Sequence, residues 1–273
     1  MPSSLFALAG ALFYGFGDFF GGISAKRMPV WWVAAGSQVL GLPVLVVGLV
    51  VIEATDVTTP DLVWGAVGGV AGVVGLALLY QSLAEGTMSL VAPITGVVAA
   101  GVPVLVGLAL GEVLDTRQWT GVVVGIVAIV LLAGPGGASL SLGLLARAMG
   151  AGAGFALMFI ALAQTAEASG MWPLVGARAA SIPLALFVAF RSGRPHGSSS
   201  AWGLVVLTGL LDQSANVAVT VALQRGPLGV NSVLASLYPA VTALAAIALL
   251  GERPGRFEAV GIVAAISAAV LLA

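Results

Sequence analysis

Four polar residues spaced four apart run through an apolar stretch: Thr208, then Asp212, Asn216 and Thr220 of "GLLDQSANVAVT". On an α-helix this spacing forms one continuous polar stripe. Its carboxylate, carboxamide and hydroxyls can bind a cationic or hydrogen-bonding group, and a buried carboxylate can also exchange a proton. A cation of the opposite role lies in "WPLVGARAASIP", where Arg178 sits well inside another apolar run. Its guanidinium can neutralise Asp212 or, left unpaired, bind the carboxylate of a ligand. A third polar group lies in "FYGFGDFFGG", where Tyr14 precedes Asp18 by one helical turn. With Gln38 added for a reason given below, the candidate binding residues are Asp212, Asn216, Arg178, Gln38 and Tyr14. Asp18 and Asp212 are the candidate proton-coupling carboxylates. The competing reading is structural: such a stripe also serves as interhelical glue, and a long arginine can snorkel to an interface.

The elements that must position these groups follow from composition. Of 273 residues, 60% are hydrophobic and only 8% charged, against roughly 25% charged in soluble domains. Mean hydropathy is +1.13. A soluble chain of this length could not cover its surface with so few charges, so an all-α integral membrane protein is expected. A charge at mid-bilayer costs about 2.5–3.5 kcal/mol, which restricts it to the protein interior or a hydrated cavity. There is no cysteine, and the one histidine, His196, lies in the polar run "RSGRPHGSSS". Thiolate metal sites and histidine-based catalysis therefore have no foundation, and no cofactor or metal is expected. The net charge of −1 carries no basic patch for nucleic acid. The first apolar run lacks a basic leader and is long enough to span, so no cleaved signal peptide is expected.

A spanning helix needs roughly 20 apolar residues. Ten windows qualify, at about 4–24, 31–52, 62–84, 88–110, 118–134, 141–163, 172–190, 202–224, 228–250 and 256–272. Trp32, Trp64, Trp119, Trp172 and Trp202 fall at span starts, as an interfacial aromatic belt would place them. Pro43, Pro93, Pro183 and Pro239 lie within spans, where each permits a kink. The third span, "GAVGGVAGVVG", pairs Gly65 with Gly69 and Gly68 with Gly72, spacings that let helix backbones approach closely.

The punctuation repeats at an offset of 140: Trp32 falls on Trp172, Pro43 on Pro183, Gly86 on Gly226, Gly111-Glu112 on Gly251-Glu252, and Gly121 on Gly261. The same shift places Gln38 on Arg178 and Gly72 on Asp212. Five helices is an odd number, so the second copy enters the membrane with opposite orientation. The expected architecture is ten transmembrane helices in two inverted five-helix repeats, residues 1–138 and 139–273. Inverted repeats with a mid-depth site between them are a secondary-transporter architecture.

The stretches "LAEGTMSLVAPITGVVAAGVPVLVGLALGE" and "LQRGPLGVNSVLASLYPAVTALAAIALLGE" resemble the fourth-helix signature of each repeat in EamA-type transporters of the drug/metabolite transporter superfamily. The resemblance covers the whole chain and is closer in the second half. It implies transport of small metabolites or drugs, with export favoured and protons as a candidate coupling ion. Amino acid-like compounds satisfy both Arg178 and the two aspartates, and no enzymatic activity is implied. Two rivals stand beside it. One is a non-transporting scaffold or receptor. The other is an intramembrane aspartyl protease, whose Gly-x-Gly-Asp string matches "GFGD" at 15–18 but whose motif order does not. Orientation is open. Lys26, Arg27, Arg191, Arg194, Arg253 and Arg256 follow odd-numbered spans, against Arg117 and Arg225 after even-numbered ones. The positive-inside rule thus places both termini outside the cytoplasm, whereas the family resemblance implies the reverse.

Overall fold

The computed structural model describes residues 2–85, 88–133, 141–194, 197–250 and 255–272. Gly86, His196, Gly251, Glu252 and Arg253 lie outside the described residues, as does the repeat boundary at 138. The helices are α1 (Ser3–Ala25), α2 (Val30–Leu40), α3 (Leu42–Val51), α4 (Thr59–Glu85), α5 (Met88–Ala109) and α6 (Thr116–Ala133), then α7 (Leu142–Ala163), α8 (Trp172–Arg191), α9 (Ser199–Arg225), α10 (Leu228–Ala235), α11 (Tyr238–Leu250) and α12 (Arg256–Leu272). Among the described residues, eight apolar segments are long enough to cross a bilayer, and two shorter helices, Thr116–Leu132 and Ala259–Leu272, bring the number to ten. Serines supply some of the starts: Ser141 and Ser198 cap α7 and α9 by accepting the backbone N–H of Leu144 and Ala201.

Two spans that the sequence reads as continuous are broken in the structure. The second divides at Gly41, and the ninth at Ser236–Leu237. Pro43 and Pro239 follow two or three residues later, each removing a helix hydrogen bond. Proline alone does not break a helix here, because Pro93, Pro103 and Pro183 lie inside unbroken α5 and α8. Where α2 has Gly41, the repeat-related position in α8 is Ser181. A glycine before the proline does not decide it alone, because Gly101 stands two residues before Pro103 in unbroken α5 and the ninth span divides without one.

Packing between the repeats dominates. The main helix pairs are α1 with α9, α4 with α7 and α8, α5 with α7, and α6 with α12. These contacts obey a two-fold rule. The pair α1–α9 corresponds to α7–α4, and α1 with α10 and α11 corresponds to α7 with α5, while α6–α12 and α2–α8 map onto themselves. The close crossings repeat as well. A Cβ on Gly69 would fall on the backbone of Ala177, and a Cβ on Gly209 on the backbone of Ser37. Gly69 and Gly209 are 140 residues apart, as are Ser37 and Ala177. Both crossings need glycine because the backbones themselves touch.

The tryptophans divide in their roles. Trp64, Trp119 and Trp172 are exposed on the outer surface, while Trp32 is buried and donates its indole N–H to the carbonyl of Gly193 at 2.9 Å.

Candidate substrate site between the repeats

The centre of the molecule is organised around Arg178, which is 8% exposed. Its Nε donates to Gln213 Oε1 at 2.7 Å, its Nη1 to Gln38 Oε1 at 3.2 Å, and its Nη2 to Asp212 Oδ2 at 3.4 Å. The contact with the carboxylate is therefore single and long, rather than a bidentate fork, because two glutamines share the guanidinium. Ser181, nearly one turn on from Arg178, donates its hydroxyl to the same Gln38 oxygen.

Asp212 is held from its own helix too. Asn216 Nδ2 donates to Asp212 Oδ2 at 3.1 Å and to the Asp212 carbonyl at 2.7 Å. Asn216 Oδ1 in turn accepts from the Tyr14 hydroxyl at 3.2 Å. A single hydrogen-bonded chain thus runs from Tyr14 on α1 through Asn216 and Asp212 on α9 to Arg178 on α8 and Gln38 on α2. All five candidate binding residues belong to it. Gln38 and Arg178 are repeat-related residues in direct contact, so the pseudo-two-fold axis passes between them.

These residues form one wall of a cavity of about 30 Å3, room for little more than a water molecule. The opposite wall is apolar: Gly68, Gly72 and Leu76 from α4, with Phe155, Met158 and Leu162 from α7. Gly72 stands across from its repeat-related residue, Asp212. The stripe read from the sequence faces inward along its length. Thr208 and Thr220 are fully buried; Thr220 bonds the Asn216 carbonyl, and the Thr208 hydroxyl has no partner among the described residues.

Asp18 is placed apart. It is 6% exposed, does not line the cavity, and makes no hydrogen bond among the described residues. Arg147 is partly exposed and pairs with Glu85 at the end of α4.

A family model described as the EamA-like transporter family matches residues 1–134 and again 141–273. The chain belongs to the EamA-like transporter family. This transporter is 31% identical over 124 residues to an uncharacterised protein of Methanocaldococcus jannaschii, an alignment covering 45% of this chain and 89% of the relative. That relative is thus about one repeat long. A solved crystal structure covers 98% of the transporter, with 95% of its own chain matched, at a TM-score of 0.74 and 18% identity, a likeness of fold. The family is one of membrane transporters, and the chain is a multi-pass integral membrane protein built from two repeats.

Some residues at the centre escape a sequence reading. Gln213 is offset by about 100° from the Asp212 stripe, so spacing hides it, although it makes the shortest bond to Arg178. Ser181 carried a signal in its three-residue spacing from Arg178. Glu112 is the third. Its carboxylate accepts the backbone N–H of Leu228 and, at 3.0 Å, that of Gly229. It thereby caps α10 from the opposite repeat, a long-range contact that no local pattern announces.

Proposed function

We propose that this chain is a secondary transporter of the cell membrane, exporting small amino acid-like metabolites by alternating access at the Arg178–Asp212 centre. The carrying observation is the juxtaposition of a guanidinium and a carboxylate on the pseudo-two-fold axis, beside a cavity that both repeats line. A zwitterion presents a carboxylate and an ammonium group, and so has a partner in each. Arg178 would exchange one of its three present acceptors for the substrate carboxylate, and Asp212 would release Arg178 to receive the ammonium. The cavity is too small for any metabolite as it stands, so binding requires the two walls to separate. That separation moves the α1–α9 pair against the α4–α7 pair, each built from one helix of either repeat, and so couples occupancy to movement.

Proton coupling is assigned to Asp212 and Asp18. Asp212 loses its cationic partner when substrate takes Arg178. Asp18 is a buried carboxylate one turn from Tyr14 on α1, and Tyr14 bonds the Asn216 that holds Asp212. Arg178 with both aspartates ionised carries one net negative charge, which a single proton on either aspartate cancels, favouring return without substrate.

The test is exchange of radiolabelled amino acids by protein reconstituted in liposomes, with Asp212→Asn beside the parent. Loss of exchange in a variant that still melts as a folded protein supports the assignment. Full exchange by Asp212→Asn would sink it.

A further inference from the structure

The two walls of the central cavity are related by the duplication, and their chemistry has diverged around the cavity. Where α9 has Thr208, Asp212 and Asn216, α4 has Gly68, Gly72 and Leu76; where α1 has Tyr14 and Asp18, α7 has Gly154 and Met158. The pair α1–α9 is thus ionic and hydrogen-bonding, and its counterpart α7–α4 is smooth and apolar. Two helix pairs of equivalent geometry face each other across the axis, one fitted to a charged head and the other to a hydrocarbon.

The apolar half has one adjustable part. A Cβ at Gly72 would sit 2.7 Å from Met158 Sδ, whereas a Cβ at Gly68 would make ordinary contacts of 3.4 Å and longer with Ala161 and its neighbours. The thioether therefore lies over the bare face of Gly72 and takes up the space there. Methionine is unbranched and has three rotatable bonds, so it can swing aside with little disturbance to the backbone. Phe155 and Leu162, one turn either side of Met158 on α7, line the same wall and bound that movement.

We propose that Met158, resting on Gly72, sets the size of the apolar side chain that the transported zwitterion carries. This rests on the reading of the Arg178–Asp212 centre as the head-group site and adds the selectivity of the opposite wall. The substrate class is an amphipathic one, with an ionic head on the α1–α9 side and a hydrocarbon or aromatic side chain on the α4–α7 side. Discrimination between side chains is expected at about ten-fold or more per step in size, as in apolar pockets generally.

The experiment is competition in the liposome exchange assay by alanine, valine, leucine, phenylalanine and tryptophan, each against one labelled substrate. The parent, Met158→Ala, Met158→Leu and Gly72→Ala are compared. Met158→Ala should raise the potency of the two aromatic competitors relative to alanine by about ten-fold. Gly72→Ala should push the other way, against the aromatic pair. Met158→Leu conserves volume and keeps the parent order, so it separates a change of size from a loss of folding. An unchanged order in both Met158→Ala and Gly72→Ala overturns the inference while leaving the ionic centre untouched. Failure of the parent to exchange any of the five removes the substrate class, and this inference falls with it. Normal exchange by Asp212→Asn with an order that still follows Met158 would reject the head-group assignment and keep the apolar one.

Discussion

At the scale of single residues, Arg178 is held by three different acceptors on two helices. Each N–H direction is used once: Nε to Gln213, Nη1 to Gln38 and Nη2 to Asp212. Lysine carries the same charge but as a point, without the fixed fork. Arg178→Lys is therefore expected to keep the protein folded while weakening substrate exchange at least ten-fold, measured in the liposome assay. Asp212→Asn acts differently on stability, because it leaves a buried cation without a charged partner. Breaking a buried pair in soluble proteins costs about 3–5 kcal/mol, while intramembrane polar contacts average about 0.6 kcal/mol. With Gln38 and Gln213 still accepting from Arg178, the loss should fall between these, near 2 kcal/mol by the same bounds. A lowered melting temperature in detergent that substrate does not restore is the expected reading. The polar stripe, the buried arginine and their approach were legible in the sequence because charges are rare in such a chain and each demands a partner. Gln213 was not, because a neutral residue off the stripe makes no such demand. Nor was the place of Asp18 outside the cavity, since its depth along α1 says nothing about which neighbour it faces.

At the scale of elements, the half-helix α10 is the most distinctive piece. It has eight residues, is separated from α11 at Ser236–Leu237, and is anchored at its start by Glu112 from the turn after α5. That turn depends on Gly111, whose φ of +94° aims Glu112 back across the end of α5. A carboxylate at a helix N-terminus satisfies orphan N–H groups and the helix dipole together, an effect worth about 0.5–2 kcal/mol. Near the break, the side-chain oxygens of Ser232, Ser236 and Tyr238 are buried without partners among the described residues. Such an element is tied at one end and loosely satisfied at the other. In Glu112→Gln, α10 should open more often. The chain has no cysteine, so a single cysteine at Ser232 reports this directly, with labelling by a water-soluble maleimide expected to rise several-fold. Unchanged labelling would make Glu112 a static cap. The existence and extent of the long helices followed from hydropathy, to within a few residues. The breaks did not, because the effect of a proline depends on what surrounds it: Pro239 follows a divided helix, whereas Pro93, Pro103 and Pro183 sit in continuous ones.

At the scale of the whole molecule, the repeats are interleaved rather than set side by side. The helix pairs with the largest interfaces, α1–α9, α4–α7, α4–α8 and α6–α12, all join one repeat to the other. Neither half therefore encloses a core of its own. Residues 1–138 and 139–273, made as two separate chains in one cell, should assemble and exchange substrate, while either alone should be degraded. Co-purification of the two through a tag on one checks this. Recovery of a stable single half would contradict it.

The same interleaving has a consequence for how the protein is made. Helix α1, carrying Asp18, is synthesised first, yet its main partner α9 follows roughly 190 residues later, a wait of about 10–40 s at ordinary rates of translation. Through most of that interval Gln38 resides in the membrane without Arg178 to meet it. The first repeat must therefore persist as an unfinished surface, shielded by lipid or by the insertion machinery, until the second arrives to close it.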